Sequence, residues 1–349
     1  MGVSTDPGPA HPAVLAVDAG NTKTDVAVVD GRGEVLGTAR GGGFRPPAVG
    51  VDTAVDALGE AVERAFADAG LPPGARVRHV SACLANADLP VEEERLAAAI
   101  DKRGWGEETT VRNDTFALLR AGLVEDAEPC GVAVVCGAGI NCVGMLPDGR
   151  TARFPAIGRL SGDWGGGGGL AEEAIWCAAR AEDGRGGATA LAHALPAHFG
   201  LGSMYALIEA FHLGDLDWAR RHELTPVLFA AAAAGDTVAG GLVDRMADEV
   251  VTMSVVALRR LGLLGEPVPV LLGGGVLAAR HPRLNEGVAG RLAERAPRAL
   301  PRVVTARPVL GAALLGLDHL GLPPSAHARA RRHYAEPDGT GNRVRTNAC

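Results

Sequence analysis

Apolar and polar residues alternate in blocks along the chain, and the blocks predict an α/β protein. Near the start, apolar runs at 14–17 and 26–29 flank a short polar turn. This is the pattern of two antiparallel strands joined by a tight turn. A third strand is predicted over 34–39, and apolar residues at helical spacing predict a helix over 51–69. The Gly- and Pro-rich stretch 41–47 is expected to have no regular structure.

The alternation then continues as strand 77–84, helix 92–101, strand 109–111 and a helix from Thr115 to Ala121. Three strands followed by alternating helices and strands are the order of a ribonuclease-H-like α/β domain. We place the end of this domain near residue 116.

The opening pattern then occurs a second time. Apolar runs at 132–136 and 142–146 flank a glycine turn, 137–141. Because a strand, a glycine turn and a strand head each half, two facing turns could hold a polyphosphate from both sides. The remaining predicted elements are a helix over 170–181, mostly helical structure over 190–262, a buried strand over 268–272, a strand over 303–306 and a helix over 308–320.

Length and composition favour a two-domain protein of the cytoplasm. At 349 residues the chain is too long for one ordinary core. We expect an N-terminal ribonuclease-H-like domain over 13–116 and a C-terminal one with a helical insertion over 117–321. The polar ends, 1–12 and 322–349, are expected to be disordered.

The bulk numbers also exclude several classes of partner. A net charge of −7 and an aromatic content of 4% count against a nucleic-acid groove. Six cysteines without a paired framework indicate free thiols in a reducing compartment. The start has no basic region before its first apolar run, and the longest later apolar run, 228–234, is too short to span a bilayer. We expect a cytoplasmic protein with no nucleic-acid or membrane partner.

The first turn carries residue types that bind phosphate: Gly20, Asn21, Thr22, Lys23 and Thr24. Glycine and asparagine tolerate positive φ, so backbone N–H groups can point into one concavity, while the other three add hydroxyls and a positive charge. Asp18, at the end of the preceding strand, could hold Mg²⁺ through the water molecules of the ion. An ordinary hairpin would use the same residue types for turning alone.

Two later glycine-rich stretches are also candidate ligand sites. The run 165–169 precedes a helix and is either a slack linker, a hinge or a place of close ligand approach. Gly273, Gly274 and Gly275 follow a buried strand and open a helix, where a flat ring or a ribose can lie against the backbone.

Five motifs in fixed order resemble one family. They are Asp-x-Gly-x-Thr-x-Thr at 18–24, Asn-Asp at 113–114, Gly-Ala-Gly-Ile-Asn at 137–141, Gly-Asp at 162–163 and Gly-Gly-Gly at 273–275. From about residue 14 to 320 the chain resembles the BadF/BadG/BcrA/BcrD ATPase and N-acetylglucosamine kinase family of the actin, sugar kinase and Hsp70 superfamily. The resemblance implies two ribonuclease-H-like domains with ATP and Mg²⁺ in the cleft between them.

The same resemblance implies roles for individual residues. The turn of Thr22 would hold phosphates, Gly137, Ala138 and Gly139 would form the second phosphate loop, and 273–275 would meet the adenosine. Asp114 matches the catalytic aspartate. At a strand end before a helix, its carboxylate can take the proton of an attacking sugar hydroxyl, although an aspartate there can equally be a helix N-cap.

Asp163 matches an aspartate that hydrogen-bonds the sugar. The other candidate sugar-binding residues are Asn86, Asp88, Asn113, Asp114, Gly158 and Gly162. The chain departs from the family pattern at Trp164 and Gly166, where glutamate and serine are usual, and at Ala138, where threonine is usual. The family's early sugar-contacting asparagine has no match near 41–47.

The leading hypothesis is an ATP- and Mg²⁺-dependent kinase that phosphorylates the 6-hydroxyl of an amino sugar such as N-acetylglucosamine, with a homodimer as the expected assembly. One alternative in the family is an ATP-driven activator of a 2-hydroxyacyl-CoA dehydratase, which needs a cysteine-held iron–sulfur cluster. Cys130, Cys136 and Cys142 are equally spaced but include no Cys-x-x-Cys pair. Another alternative is a regulator that binds sugar or ATP without turnover.

Overall fold

The computed structural model describes residues 11–124 and 129–335. By their internal contacts the residues form two compact units. Unit 1 combines Met1–Asp126 with Ala306–Cys349, and unit 2 is Ala127–Thr305. The chain therefore leaves unit 1, builds unit 2 and returns to complete unit 1.

Unit 1 is built on a five-stranded sheet in the order β3-β2-β1-β4-β5. β2 is antiparallel to both β1 and β3, whereas β1, β4 and β5 run parallel. The strands are β1 Pro12–Ala19, β2 Thr24–Asp30, β3 Val35–Gly41, β4 Val77–Leu84 and β5 Gly106–Asn113. The helices of this unit are α1 Pro46–Val49, α2 Val51–Asp68, α3 Pro90–Asp101, α4 Thr115–Gly122, α12 Pro308–His319 and α13 Pro324–Ala335.

Strand β1 is buried on both faces because helices cover the sheet on both sides. Leu15 and Val17 belong to the core that α2 and α3 complete. On the other face Val14 meets α12 at Gly316, where an added Cβ would lie 2.4 Å from a methyl carbon of Val14. Burial on both faces explains why β1 is a continuous apolar run instead of an alternating one.

Unit 2 repeats the topology of unit 1. Its sheet has the order β10-β9-β6-β7-β8, with β7 antiparallel to β6 and β8, and with β6, β9 and β10 parallel. The strands are β6 Gly131–Cys136, β7 Ile140–Met145, β8 Thr151–Arg153, β9 Pro269–Gly273 and β10 Leu300–Val303. The helices are α5 Gly166–Glu182, α6 Leu191–His198, α7 Met204–Leu213, α8 Thr225–Ala233, α9 Thr237–Arg260, α10 Gly275–Ala278 and α11 Pro282–Arg295, with 3₁₀ segments at Gly158–Ser161 and Trp218–Leu224.

The α/β fold class with two ribonuclease-H-like sheets is confirmed, and most predicted strands lie where expected. The last strand of unit 2 does not, because β10 covers Leu300–Val303 instead of 303–306. Its residues are mostly exposed, so it lacks the apolar run that marks the other strands. The stretch 41–47 also differs, since a short helix, α1, begins inside it with proline at its first position.

The chain ends return to unit 1, unlike the expected division at 116 and 321. α4 and α12 pack together so closely that a Cβ on Gly311 would lie 1.8 Å from the backbone oxygen of Ala117. Arg120 of α4 also donates from Nε to Asp318 Oδ2 of α12 at 2.7 Å. These contacts place both helices in unit 1, although the sequence assigned them to the second domain.

The disorder expected over 322–349 is wrong for its first half. α13 buries Ala326, His327 and Ala330, and His327 Nε2 lies 2.8 Å from Asp318 Oδ1. A buried face made of alanine and histidine gives little hydropathy signal, which explains the error. Residues 1–10 and 336–349 of the two predicted tails lie outside the described residues.

Within the described residues, no single helix is both long and apolar enough to cross a membrane. One sharply bent helix pair, Trp218–Ala233 with Thr237–Arg260, meets the criteria of length and composition only.

Candidate active site

The carboxyl ends of β1, β4 and β5 place two aspartates at one edge of the unit 1 sheet. Asp18 is paired with Cys83 of β4, and Leu84 is paired with Asn113 of β5. The N–H of Asp114 then donates to the oxygen of Leu84 at 3.2 Å. Because parallel strands end at the same edge, Asp18 and Asp114 share an acidic edge, where open α/β sheets commonly bind ligands.

The carboxyl group of Asp18 has a strongly perturbed pKa. The pKa of Asp18 is raised to about 8, mainly by burial and then by the negative charges of Asp114 and Asp25, against the opposing charge of Lys23. A desolvated carboxylate beside a second one is the environment that a bound divalent cation relieves. The donor set at this edge therefore fits Mg²⁺ held at Asp18.

Asp114 occupies the N-cap position of α4, but its side chain makes no capping hydrogen bond within the described chain. Asn113 fills that role, because its Oδ1 accepts the N–H of Thr115 at 2.9 Å. Burial raises the pKa of Asp114 to about 6, against the lowering effect of the backbone N–H groups of Asp114 and Thr115. Such a carboxyl group is ionised at neutral pH and still basic enough to accept a proton.

The predicted phosphate turn is tied to the loop that follows β3. The N–H of Gly20 donates to the oxygen of Lys23 at 2.9 Å, and the N–H of Phe44 donates to the oxygen of Gly20 at 2.9 Å. Thr24 is buried, and its hydroxyl donates to the oxygen of Gly42 at 2.9 Å. The hydroxyl of Thr24 thus holds the loop, whereas the side chain of Thr22 is exposed.

Asn86, which lies just after the end of β4, holds the same turn by hydrogen bonds. It has a positive φ of 63°, and its Nδ2 donates to Asn21 Oδ1 and to the oxygen of Phe44, both at 3.1 Å. A Cβ on Gly43 would lie 2.1 Å from the oxygen of Asn21. The structure therefore uses the amide of Asn86 to hold the turn.

Asn113 and Asp88 form a second polar group at this edge. Asn113 is 2% exposed, and its Nδ2 donates to Asp88 Oδ1 at 2.8 Å. The N–H of Asp88 donates to Glu92 Oε2 at 3.0 Å, and the N–H of Asn113 donates to Glu93 Oε1 at 3.1 Å. Asn113 is consequently a buried positioning residue for its neighbours, whereas Asp88 is only partly buried.

In unit 2, the glycine run that precedes the predicted helix is part of that helix. The N–H of Gly167 donates to the oxygen of Gly137 at 2.8 Å, and the N–H of Gly168 donates to the oxygen of Ala138 at 2.9 Å. Gly166 has a φ of 69°, and its Cβ would lie 2.4 Å from the carbonyl carbon of Gly139. The run is therefore not a slack linker, because its glycines let α5 start directly against the turn 137–139, the predicted second phosphate loop.

Asp163 of the Gly-Asp motif at 162–163 forms hydrogen bonds within its own loop. The N–H of Gly158 donates to Asp163 Oδ2 at 3.0 Å, and the hydroxyl of Ser161 lies 2.5 Å from the same oxygen. Gly162 ends the 3₁₀ segment with a φ of 85°. One carboxylate oxygen of Asp163 is thus occupied by the loop.

A pocket of about 370 Å³ lies in unit 2 beside these two loops. Its walls include the second phosphate turn, Asp163, Trp164 and the first turn of α5. Trp164 is 9% exposed, the guanidinium of Arg245 lies 4.1 Å from its ring, and its Nε1 has no hydrogen-bond partner among the described residues. Buried donors without a partner are rare, which makes this one a candidate ligand contact.

The pocket is also lined by polar residues that belong to no sequence motif, among them Glu172, Arg221 and His222. Arg221 Nε donates to Glu172 Oε1 at 2.9 Å, and burial lowers the pKa of His222. They come from α5 and the 3₁₀ segment Trp218–Leu224, so only the fold brings them to the pocket. No pattern in the sequence therefore marks these residues.

The third glycine motif of unit 2 lies against β6. Gly274 has a φ of 81°, and a Cβ there would lie 2.4 Å from the carbonyl carbon of Cys136. Gly273 is paired with Val135 at the end of β9, while an added Cβ on Gly275 would meet no described atom within 4 Å. The backbone at Gly275 is therefore open to a ligand such as the predicted adenosine.

Each ribonuclease-H-like unit begins with two antiparallel strands joined by a tight turn. Unit 1 carries the acidic edge, and unit 2 carries the later glycine turns. Two such units in one chain define an actin-like ATPase fold. The chain belongs to the BadF/BadG/BcrA/BcrD ATPase family, whose model matches residues 15–316.

Two curated relatives are kinases. The chain is 25% identical over 313 residues to the N-acetyl-D-glucosamine kinase of Dictyostelium discoideum, a match that covers 87% of this chain and 97% of the relative. It is 28% identical over 193 residues to the N-acetylmuramic acid/N-acetylglucosamine kinase of Clostridium acetobutylicum, covering 55% of this chain and 62% of the relative.

Solved structures share the fold. A protein from Chromobacterium violaceum assigned as an N-acetylglucosamine kinase has a TM-score of 0.66 at 23% identity, covering 88% of this chain and 100% of its own. A ROK family glucokinase from Streptomyces griseus, solved with glucose and AMPPNP, has a TM-score of 0.55 at 18% identity, covering 88% and 99%.

Proposed function

We propose that this protein is an ATP-dependent kinase that transfers a phosphoryl group to an amino sugar, with the 6-hydroxyl of N-acetylglucosamine as the leading acceptor. The observation that carries the proposal is Asp114, a partly buried carboxyl group with a pKa near 6 on the acidic edge. The relatives that match most of the chain by sequence support the substrate class.

Asp114 is the proposed general base. Its carboxylate accepts the proton of the sugar hydroxyl as that oxygen attacks the γ-phosphate. Since Asn113 rather than Asp114 caps α4, the carboxylate of Asp114 is not committed to the helix. Its backbone holds Asp114 at the helix start, and the backbone N–H groups of Asp114 and Thr115 orient its carboxylate, which gives the fixed position that base catalysis needs.

Asp18 and the glycine turns are the proposed nucleotide site. Asp18 would hold Mg²⁺, and the ion would neutralise charge on the phosphates. Thr22 and the backbone N–H groups of 21–23 bind phosphate oxygens in unit 1, and the turn of Gly137, Ala138 and Gly139 does so in unit 2 through the N–H groups of its last two residues, since the N–H of Gly137 donates to the oxygen of Gly139. Gly275 offers open backbone to the adenosine.

Asp163, Asp88 and the Nε1 of Trp164 are the proposed sugar contacts. Asp163 keeps one carboxylate oxygen outside the loop bonds, and Trp164 offers an unpaired donor. Since the family's usual glutamate is replaced by Trp164, this donor takes part in choosing the sugar.

The activator alternative is disfavoured by where the cysteines lie. Cys136 and Cys142 are on paired strands inside the core of unit 2, and burial raises the pKa of both thiols. A cluster ligand must be a thiolate, and burial opposes that form. These two side chains therefore fill the core.

A coupled assay of ADP release across N-acetylglucosamine, N-acetylmuramic acid, N-acetylmannosamine and glucose tests the proposal. We expect N-acetylglucosamine-dependent turnover that Asp114→Asn reduces and that the exposed-site control Asp101→Asn leaves unchanged. Binding of ATP and sugar with no ADP release from the wild-type protein would instead identify a regulator. Light scattering of the same sample tests the predicted homodimer.

A further inference from the structure

A second group of ligand-type side chains lies in unit 1, away from the acidic edge. His79 is near the start of β4, Glu108 is its direct partner on β5, and His319 is the last residue of α12. One nitrogen or oxygen atom from each lies within 4.8 Å of the other two.

This group is separate from the candidate active site. Cys83, not His79, is the β4 residue paired with Asp18. His79 precedes Cys83 by four positions on the same strand, which corresponds to about 13 Å at the usual rise of a strand. None of the proposed roles in phosphoryl transfer uses His79, Glu108 or His319.

The unexplained feature of the group is His79. It is 1% exposed, and its Nδ1 has no hydrogen-bond partner among the described residues. Buried polar atoms are nearly always paired, so an orphan of this kind points to a missing ligand.

The two other members are able to move toward a shared ion. His319 Nε2 lies 2.9 Å from Glu108 Oε2, and the side chains of His319 and Glu108 are 39% and 67% exposed. The imidazole rings of His79 and His319 are stacked with their centroids 4.0 Å apart. Rotation of the exposed pair would turn this stack into a convergent set.

We propose that His79, Glu108 and His319 form a binding site for a transition-metal ion, with Zn²⁺ as the best match. Two imidazoles and one carboxylate are a donor set that Zn²⁺ accepts, and water completes the tetrahedron. At ordinary Zn–N and Zn–O lengths the ligand atoms would lie about 3.4 Å apart. The present spacing is 2.9 Å between His319 Nε2 and Glu108 Oε2 and at most 4.8 Å for the other two pairs, so side-chain rotation must adjust it.

The ion would fasten the end of α12 to β4 and β5. α12 packs on β1 and β4 and closely against α4, the helix that begins after Asp114. A metal at this place therefore stabilises unit 1 without touching the proposed chemistry. The inference does not depend on the proposed kinase function.

The test uses full-length protein stripped of metal with a chelator and then dialysed. Zn²⁺ is titrated by calorimetry with Mg²⁺ in excess, so that carboxylate sites for Mg²⁺ are filled, and thermal unfolding is recorded in parallel. We expect one Zn²⁺ per chain and a rise in Tm. Co²⁺ in place of Zn²⁺ should give visible d–d absorption without thiolate charge transfer.

The variants are Glu108→Gln and His319→Asn, because both positions are exposed enough to leave folding intact. We expect each to weaken Zn²⁺ binding at least tenfold and to remove the rise in Tm. The control His212→Asn, on exposed helix α7, should behave as wild type. The proposal is overturned if the wild-type protein shows no saturable Zn²⁺ binding, or if both variants keep the wild-type affinity.

Discussion

Asn113 donates from its buried side-chain amide to Asp88 at 2.8 Å, so an uncharged group separates Asp88 from the acidic edge that carries Asp114. This bond joins the loop after β4 to the start of α4. Asp88 and Asp114, which lie on either side of this amide, are both proposed site residues. Their placement therefore depends on the placement of the amide.

Replacing this amide with a carboxylate tests the arrangement. Asn113→Asp keeps the shape but sets two carboxylates against each other in a buried place, which we expect to destabilise the protein by about 2–4 kcal/mol near neutral pH. Urea unfolding measures the change. The loss should shrink at pH 4, where one carboxyl group is protonated, and an equal loss at both pH values would contradict the argument.

Asp114→Asn separates catalysis from stability. We expect kcat to fall by about 10²–10⁴ while sugar binding persists, because the amide binds the hydroxyl but cannot accept its proton. Near-native turnover in this variant would assign the base elsewhere.

The same variant should be more stable than wild type at pH 7.5 in the absence of ligands. The pKa of Asp114 in the folded protein, about 6, lies above its unfolded value, so the folded state binds more protons between the two values. Its contribution to stability is therefore lost as pH rises through about 6. Thermal unfolding should show a gain for Asp114→Asn at pH 7.5 that disappears near pH 4.

Binding of Mg²⁺ should be proton-linked through Asp18. The pKa of this residue is raised to about 8 by burial and by Asp114, and a bound cation favours the ionised carboxylate. We expect Mg²⁺ affinity to fall with pH below about 8, by up to roughly tenfold per unit. Calorimetry in buffers of different ionisation enthalpy counts the released proton. Asp18→Asn should abolish the release, and pH-independent binding in the wild type would refute the linkage.

Gly166 and Gly169 form a matched pair in one helix. Gly166→Ala forces a Cβ to within 2.4 Å of Gly139 at a φ of 69°, so we expect a loss of about 2–4 kcal/mol and weaker ATP binding. Gly169→Ala meets no described atom within 4 Å and should be neutral or stabilising by up to about 1 kcal/mol. Chemical denaturation measures the free energy of unfolding of both variants. Equal losses would contradict the prediction and would mean that helix α5 tolerates no side chain at either site.

The elements that can be predicted from the sequence are those whose buried residues form an apolar run. β1 and β6 are continuous apolar runs because nearly all their residues are buried. β10 is a mostly exposed edge strand, so the prediction of its position is wrong. α13 was missed because alanine and histidine make its buried face.

The candidate site divides in the same way. Asp18 and Asp114 could be predicted because each ends a strand within a recognisable motif. His222 and the Asn113–Asp88 bond could not, since they depend on which loops the fold brings together. The run 165–169 was recognised as special, but its reason, contact with the turn at Gly139, is visible only in three dimensions.

The return of α12 to the first unit has a consequence for synthesis on the ribosome. Val14 precedes unit 2 in the chain, whereas α12, which covers it through Gly316, follows unit 2. One apolar face of the unit 1 sheet therefore stays uncovered while unit 2 is synthesised. Any chain that terminates early, within unit 2, would carry this open face permanently and would be a natural target for chaperones and proteases.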